Sequence, residues 1–549
     1  MSADPAVVNQ GKTPQSPGYR LYDFRLNAGE MARFLTNGFV VSERLGSTSF
    51  GDVYYRVFAD DLPVFISSDS VLHAWHYSYQ RMLEELEELQ LFFALDGILE
   101  SMRDALGRLP QELREGAMGV NVGDADVFLA VARSLLTGAR VPTVFGGDGE
   151  VTRILGAVAS LEYVPEFSLF GGVRPMDFSQ FKVRGHYERN RRLGQYFRAV
   201  MWLARADFRV FTREKDNQAI RELGTAVVLS QLLKDSGKLG QWQEMDEIIR
   251  LFVGRPDSMT APQLNGLLAA AGLSPGEEGL TLEQLENLQL QVIQGGLGSQ
   301  LYAGDAFYSP FSREQVQLPA SFAFLGQRFI ADGWAMSQVT FDRILWNKDI
   351  PQVTWFGKVL RRYPSALDVA YSALGNRQAG DLIVRRMQDA AGIGGFRDGY
   401  PYAHNLTALA ATFERLRPEA WEDSLYTLWL GALRALSTPT TGSAFPQAMR
   451  TSAWAMRTLN TQLGSYTELK HDTVLYAKQP YSSVIVCEYP AGYVEPVPEF
   501  WRRMKGMAEA AAVGVAKLSV KTNVTIEMPE FPRSEEHTSE LQSRGLISY

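Results

Sequence analysis

The chain has 549 residues, 46% of them hydrophobic and 21% charged, with 54 Lys plus Arg against 62 Asp plus Glu for a formal net charge of -8. This balance excludes collagen-like, disulfide-rich and broadly disordered classes and leaves room for one large domain or several smaller ones. The mild acidity argues against nucleic acid or an anionic membrane as main partner, and no apolar run approaches the roughly 20 residues that span a bilayer.

Residues 1–19 are polar, carry Pro5, Pro14, Pro17 and Gly18, and read as a disordered lead-in. They are no secretory signal, which needs a continuous apolar stretch. From about residue 20 helical periodicity takes over. Apolar residues recur at three- and four-residue spacing over 70–91, 125–137, 150–161, 189–207, 217–234, 242–252, 367–390, 406–415, 424–436, 454–463, 466–478 and 497–518. Strand candidates are short, at 39–42, 64–67 and 483–489, too few for a βαβ succession. The expected fold is mainly α: one large helical domain over 20–532, toroid-like or layered, with a few short strands. The Pro- and Gly-containing stretch 254–279 reads as a long connection holding short helices of its own, at 263–271 and just beyond it at 281–291.

Beyond Pro532 the chain reads RSEEHTSELQS, three further residues, and then Ile547, Ser548 and Tyr549. Both flanks are what the constant parts of a common sequencing-library adapter encode, and the gap between them is the size of a barcode. Residues 533–549 are therefore expected to be adapter-derived, with the natural sequence cut short at or before residue 532. The single cysteine, Cys487, excludes an internal disulfide and a Cys-ligated metal site.

Familiar one-line signatures fail. Residues 45–54 (LGSTSFGDVY) look like a kinase glycine loop, but Thr48 stands where the central glycine belongs, and no Lys occurs between Lys12 and Lys182 to meet a nucleotide phosphate. The Gly-rich pieces lack dinucleotide and phosphate-loop spacing, and there is no nucleophile-elbow serine or HExxH helix.

Histidine is scarce, six in all, and His537 lies in the adapter-like tail. His73 and His76 stand at i, i+3 near the start of a helix whose apolar stripe is Leu72, Trp75, Tyr79, Leu83 and Leu86, with Ser68 or Asp69 as the expected cap. That spacing lets two imidazoles approach one metal ion; otherwise His76 is a hydrogen-bonded residue at the core edge and His73 is solvated. Arg184 and His186 fall on the turn before an Arg-rich helix, where side chains project into clefts or simply form ion pairs. Glu468, His471, Asp472 and Lys478 share one side of a late helix, a pattern that suits acid–base or metal chemistry as well as a solvated charged face. His404 has no arguable partner.

Taken in order, these segments resemble the bacterial and archaeal family known as domain of unknown function 3160. The resemblance is carried by NGFVV at 37–41, PVFISSDSVLHAWH at 63–76, FKVRGHY at 181–187, YFRAVMWL at 196–203, LGQRF at 325–329, SALDV at 365–369, LNTQLGS at 459–465, TELKHDTVLYAKQ at 467–479 and YVEP at 493–496. It implies a largely helical protein and brings no catalytic assignment. Members often begin with an export or lipoprotein signal, which this sequence lacks, so no compartment is assigned.

Two readings follow. In the first, the chain is a hydrolase-type enzyme: His73, His76 and His186 ligate a divalent metal or move protons, Glu468, His471 and Asp472 act as base or ligand, and Arg184 orients an anionic group of a small substrate. In the second, it is a non-catalytic helical binding or scaffold protein of the cell envelope, with a groove lined by Trp75, Trp202, Trp429 or Trp454 for a sugar or peptide. The first requires three distant segments to meet in space.

Overall fold

The structure is a computed structural model that describes residues 26–42, 46–59, 65–211, 217–276, 278–302, 318–339, 354–355, 358–359, 365–389, 402–440 and 442–480, together with Arg503 and Gly506. The chain divides into two units, Met1–Ile485 and Val486–Tyr549, and the architecture below is that of the first. The lead-in, Cys487, the expected strand 483–489 and residues 533–549 lie outside the described residues, as does the expected helix 497–518 apart from Arg503 and Gly506.

The protein is mainly α. The helices are α1 Ala28–Asn37, α2 Phe50–Ala59, α3 Ser68–Leu86, α4 Phe92–Gly107, α5 Gln111–Glu115, α6 Gly119–Thr137, α7 Asp148–Ser160, α8 Arg191–Arg205, α9 Asn217–Asp235, α10 Leu239–Phe252, α11 Ala261–Ala270, α12 Leu282–Gln294, α13 Ala331–Gln338, α14 Ala366–Ser372, α15 Arg377–Asp389, α16 Tyr402–Glu414, α17 Leu425–Ala435 and α18 Ser452–Asp472. Among the described residues the strands form three antiparallel pairs: β1 Tyr163–Leu169 with β2 Gly172–Asp177, β3 Phe208–Phe211 with β4 Ala320–Phe322, and β5 Thr354–Trp355 with β6 Lys358–Val359.

The core is centred on α6, which buries residues around its whole circumference, including Val122, Phe128, Leu129, Val131 and Leu136. Helices α4, α8 and α9 pack against it. Trp202 of α8 is fully buried, and its indole N–H donates to the Phe128 carbonyl at 3.1 Å, so a large apolar side chain enters the core without stranding its one polar atom. The stripe expected on α3 faces this core, with Tyr79 and Leu83 fully buried and Leu72, Trp75 and Leu86 packed beside them.

Several boundaries differ from expectation for physical reasons. The cap of α3 is Ser67, one residue earlier than expected, accepting from the Ser70 N–H at 3.2 Å. The expected helix 367–390 is two helices, because the chain turns at Asn376, whose side chain donates to Gln462 at 2.6 Å and accepts from the Gln378 N–H at 3.0 Å. The stretches 454–463 and 466–478 are one helix, α18, which stops at Asp472. Beyond it the backbone pairs with Arg328, whose N–H donates to the Tyr476 carbonyl at 2.7 Å and whose carbonyl accepts from the Lys478 N–H at 2.9 Å. Residues 39–42 and 65–67 are not strands. The hairpin of β1 and β2 turns at Phe170 (φ 52°) and Gly171 (φ 83°), a two-residue connection with both φ positive that matches the strand twist. The kinase-like residues 50–54 are the start of α2.

Candidate functional site

Helix α3 clasps two other elements in series, one with each half. Its N-terminal half lies beside α18, and the two helices run parallel. Asp69 accepts from the Thr461 hydroxyl at 2.6 Å and pairs with Arg457. One turn on, His73 Nδ1 is 2.7 Å from Glu468 Oε1, and after a further turn His76 Nδ1 is 2.7 Å from Asp472 Oδ2. Positions 69, 73 and 76 on one helix and 461, 468 and 472 on the other are spaced by whole helical turns, so these contacts form a ladder along one seam.

Burial grades along the ladder. The His73 and Glu468 side chains are 39% and 25% exposed, whereas His76 is 13% exposed and Asp472 is fully buried. A buried carboxylate needs hydrogen bonds, and Asp472 has them: His76 on one oxygen and the His471 Nδ1 at 3.3 Å from the other. The hydrogen bond to Asp472 pushes the His76 imidazole above its ordinary value of 6.5; burial opposes this, and the charges of Asp472 and Glu468 add to it. A carboxylate partner obliges Nδ1 to carry the proton, which leaves the Nε2 of His73 and of His76 as lone-pair nitrogens. Neither Nε2 makes a hydrogen bond within the described residues. The two rings lie 5.7 Å apart, with Tyr77 edge-on to His73 at 5.0 Å and Phe50 at 5.6 Å.

The C-terminal half of α3 holds the turn that carries Arg184 and His186. The helix passes into a π-helical turn, Glu87–Leu91, and Glu84, Glu87 and Glu88 all face that turn. Glu84 pairs with Arg189, Glu88 accepts from the Asn190 amide at 3.1 Å, and fully buried Glu87 accepts from His186 Nε2 at 2.7 Å and the Tyr187 hydroxyl at 2.6 Å. His186 Nδ1 is buried without a hydrogen-bond partner. Burial raises the phenols of Tyr79, Tyr187, Tyr196 and Tyr476 well above their ordinary value, helped by the charge of Glu87, and for Tyr79 also by that of Asp472.

The two clasps meet at Gly185. Its φ of +67° is a left-handed conformation that costs an L side chain, and a Cβ there would lie 3.4 Å from His471 Nε2. The three segments singled out in the sequence therefore come together: His73 and His76 against Glu468 and Asp472, and the 184–187 turn against His471. Not every residue joins the same group. His186 is bonded to Glu87, eleven residues and about 16 Å of helix rise beyond His76. Arg184 donates to the carbonyls of Gln180 and Lys182, both at 3.0 Å, and lies over the Phe197 ring at 5.3 Å. Burial lowers its guanidinium from the ordinary value, opposed by the charge of Asp177. Lys478 does not share a helix face with Glu468. It lies past the end of α18, buried, with its amine 2.7 Å from Asp257.

Among the described residues no group of three or more His, Cys, Asp or Glu is arranged to hold a metal ion. The Nδ1 atoms of His73 and His76 are held by carboxylates, which leaves Nε2 as the ring atom of each that could meet a ligand. No helix among the described residues is long and apolar enough to cross a membrane. Trp202 and Trp429 are core residues closed to a ligand, and the Trp429 indole donates to Ser465 at 2.9 Å.

A family model described as a protein of unknown function, DUF3160, matches residues 27–542. The chain belongs to this family. No curated protein and no solved structure matches the chain. In this DUF3160 protein, sequence reasoning missed Thr461 and the Glu84–Glu87–Glu88 face, and named Asp69 only as a candidate helix cap. Carboxylates at i, i+3 and i+4 beside a histidine pair were the available signal for that face.

Proposed function

We propose that this DUF3160 protein is a hydrolase-type enzyme whose acid–base site is the seam of α3 and α18. The supporting observation is the pair of adjacent histidine–carboxylate dyads, His76–Asp472 and His73–Glu468, each with Nδ1 tied to a carboxylate and Nε2 left as a base. Such a carboxylate fixes the tautomer and stabilises the imidazolium that forms when the ring takes a proton. Asp472 raises the proton affinity of His76, which suits it to the role of base. In this reading His76 Nε2 takes a proton from water, the water oxygen attacks the electrophilic centre of the substrate, and the His76 imidazolium gives that proton to the leaving group as its bond breaks, with His73 Nε2 as a second, more exposed base beside it. His471 sits against Asp472 and Gly185 and borders the site. His186 and Arg184 are positioning residues that hold the 184–190 turn. A divalent ion at the two free Nε2 atoms would polarise the substrate, and the rest of the assignment stands on the dyads alone.

The experiment is a panel of chromogenic esters, phosphoesters, glycosides and peptides, comparing the wild-type chain with His76→Ala and His73→Ala. Turnover that falls at least about a hundredfold in His76→Ala supports the reading, since general acid–base groups contribute roughly 10²–10⁴. Turnover indifferent to both substitutions, or none on any substrate class, overturns it.

A further inference from the structure

The turn that meets His471 through Gly185 also borders a second concavity, an open groove of about 680 Å³ between the C-terminal end of α6, α7 and the exposed side of α8. That volume is typical of small-molecule clefts. Leu135, Leu155 and Val183 supply apolar lining, while the charged lining is three guanidinium groups, Arg140, Arg191 and Arg198, against one carboxylate, Glu188. Arg191 and Arg198 stand seven residues apart on α8, two turns along one face. Both are exposed, and neither makes a hydrogen bond, ion pair or ring contact within the described residues. Arg140 donates to the Asp148 carbonyl at 3.0 Å, lies 3.7 Å from its carboxylate and remains 53% exposed.

This surplus of positive charge is not what folding favours. Acidic residues outnumber basic ones in the chain, and other arginines here, such as Arg174, Arg189 and Arg221, are matched to carboxylates. Helix α8 also opens on Arg191 and Arg192 with no acidic residue in its first turn, which sets like charge against the positive end of the helix dipole. An anion in the groove would relieve both.

We propose that the Arg140, Arg191 and Arg198 groove binds a small polyanion, a molecule carrying two or more carboxylate or phosphate groups on a body with an apolar face. Guanidinium groups bind either anion through paired N–H donors, and the apolar lining takes the body of the ligand. The proposal is independent of the hydrolytic reading of the α3–α18 seam.

The test is calorimetric titration of the whole chain with inorganic pyrophosphate and, separately, with citrate, at low salt, for wild type, Arg191→Gln, Arg198→Gln and the double variant. Because both side chains are exposed, the variants should keep the wild-type melting temperature. Saturable binding of either probe is expected, weakened about tenfold or more by each single substitution, undetectable in the double variant and reduced by added salt. Binding of pyrophosphate alone assigns the phosphate class, and of citrate alone the carboxylate class. Absence of saturable binding by both probes, or equal affinity in wild type and double variant, overturns the proposal.

Discussion

Substituting Asp472→Asn should reverse the direction in which the His76 imidazole is shifted. In the wild-type protein the hydrogen bond to Asp472 is the largest influence and raises the proton affinity, burial lowers it, and the charges of Asp472 and Glu468 raise it further. Asparagine removes the carboxylate charge and leaves only a weaker hydrogen bond to a neutral amide oxygen. Burial then outweighs the distant Glu468, and the imidazole should titrate below 6.5 instead of above it. Stability follows the same sign. A group whose folded value is raised contributes stability that is fully present below its unfolded value and is lost as pH rises through the folded one. Below about pH 6.5 the substitution should therefore cost about 1.5–3 kcal/mol, the worth of a hydrogen bond to a charged group, since both side chains are largely buried. Well above the folded value the imidazole is neutral, the attraction between two charges is gone, and the cost should be smaller. The assay is an NMR titration of the His76 ring protons in both proteins, assigned with His76→Ala, with denaturant unfolding at both ends of the pH range. A His76 titration unmoved by Asp472→Asn, or a stability loss that grows with pH, would refute the reasoning.

Other outcomes follow from the same contacts. Glu87→Ala leaves His186 and Tyr187 as buried donors without an acceptor and should cost about 2–5 kcal/mol in denaturant unfolding, while Glu87→Gln, which keeps one acceptor, should cost less. Gly185→Ala should cost about 1–2 kcal/mol from its left-handed backbone, and it should shift the His471 ring resonances because the new methyl group faces that ring. Tyr79, Tyr187, Tyr196, Tyr302, Tyr426, Tyr466 and Tyr476 should stay un-ionised in an ultraviolet titration until the protein unfolds, since burial raises every one of these phenols. Trp202→Ala should cost about 3–5 kcal/mol, because it empties a fully buried site and removes the hydrogen bond to the Phe128 carbonyl.

How far the sequence could be read depended on whether the deciding interaction was local. The α3 stripe was legible because Leu72, Trp75, Tyr79, Leu83 and Leu86 follow the helical period and face one core. Helix α4 was not: the π-helical turn at Glu87–Leu91 changes the residues per turn, so a stripe read at 100° per residue loses phase there. The β1–β2 hairpin escaped notice because its turn is Phe170-Gly171, and a phenylalanine at positive φ is a poor turn signal beside asparagine. Lys478 was placed on a helix because local propensity continues past Asp472, whereas backbone pairing with Arg328, 150 positions earlier, ends the helix. At the site, the scarcity of histidine was enough to single out the three segments. The pairing within them, His73 with Glu468 and His76 with Asp472 across 395 and 396 residues, was beyond any local pattern. The Arg184 and His186 positions were found for their chemistry, yet the fold turns them toward carbonyls and Glu87, which only the packed turn reveals.

The most direct measurement is the pH–rate profile of whichever substrate in the panel is turned over, for wild type and Asp472→Asn. If His76 is the general base, the acid limb of kcat/KM lies above pH 6.5 in the wild type and moves below it in the variant, with a lower plateau. An acid limb at the same pH in both proteins would contradict the assignment of His76 and Asp472 as the working dyad.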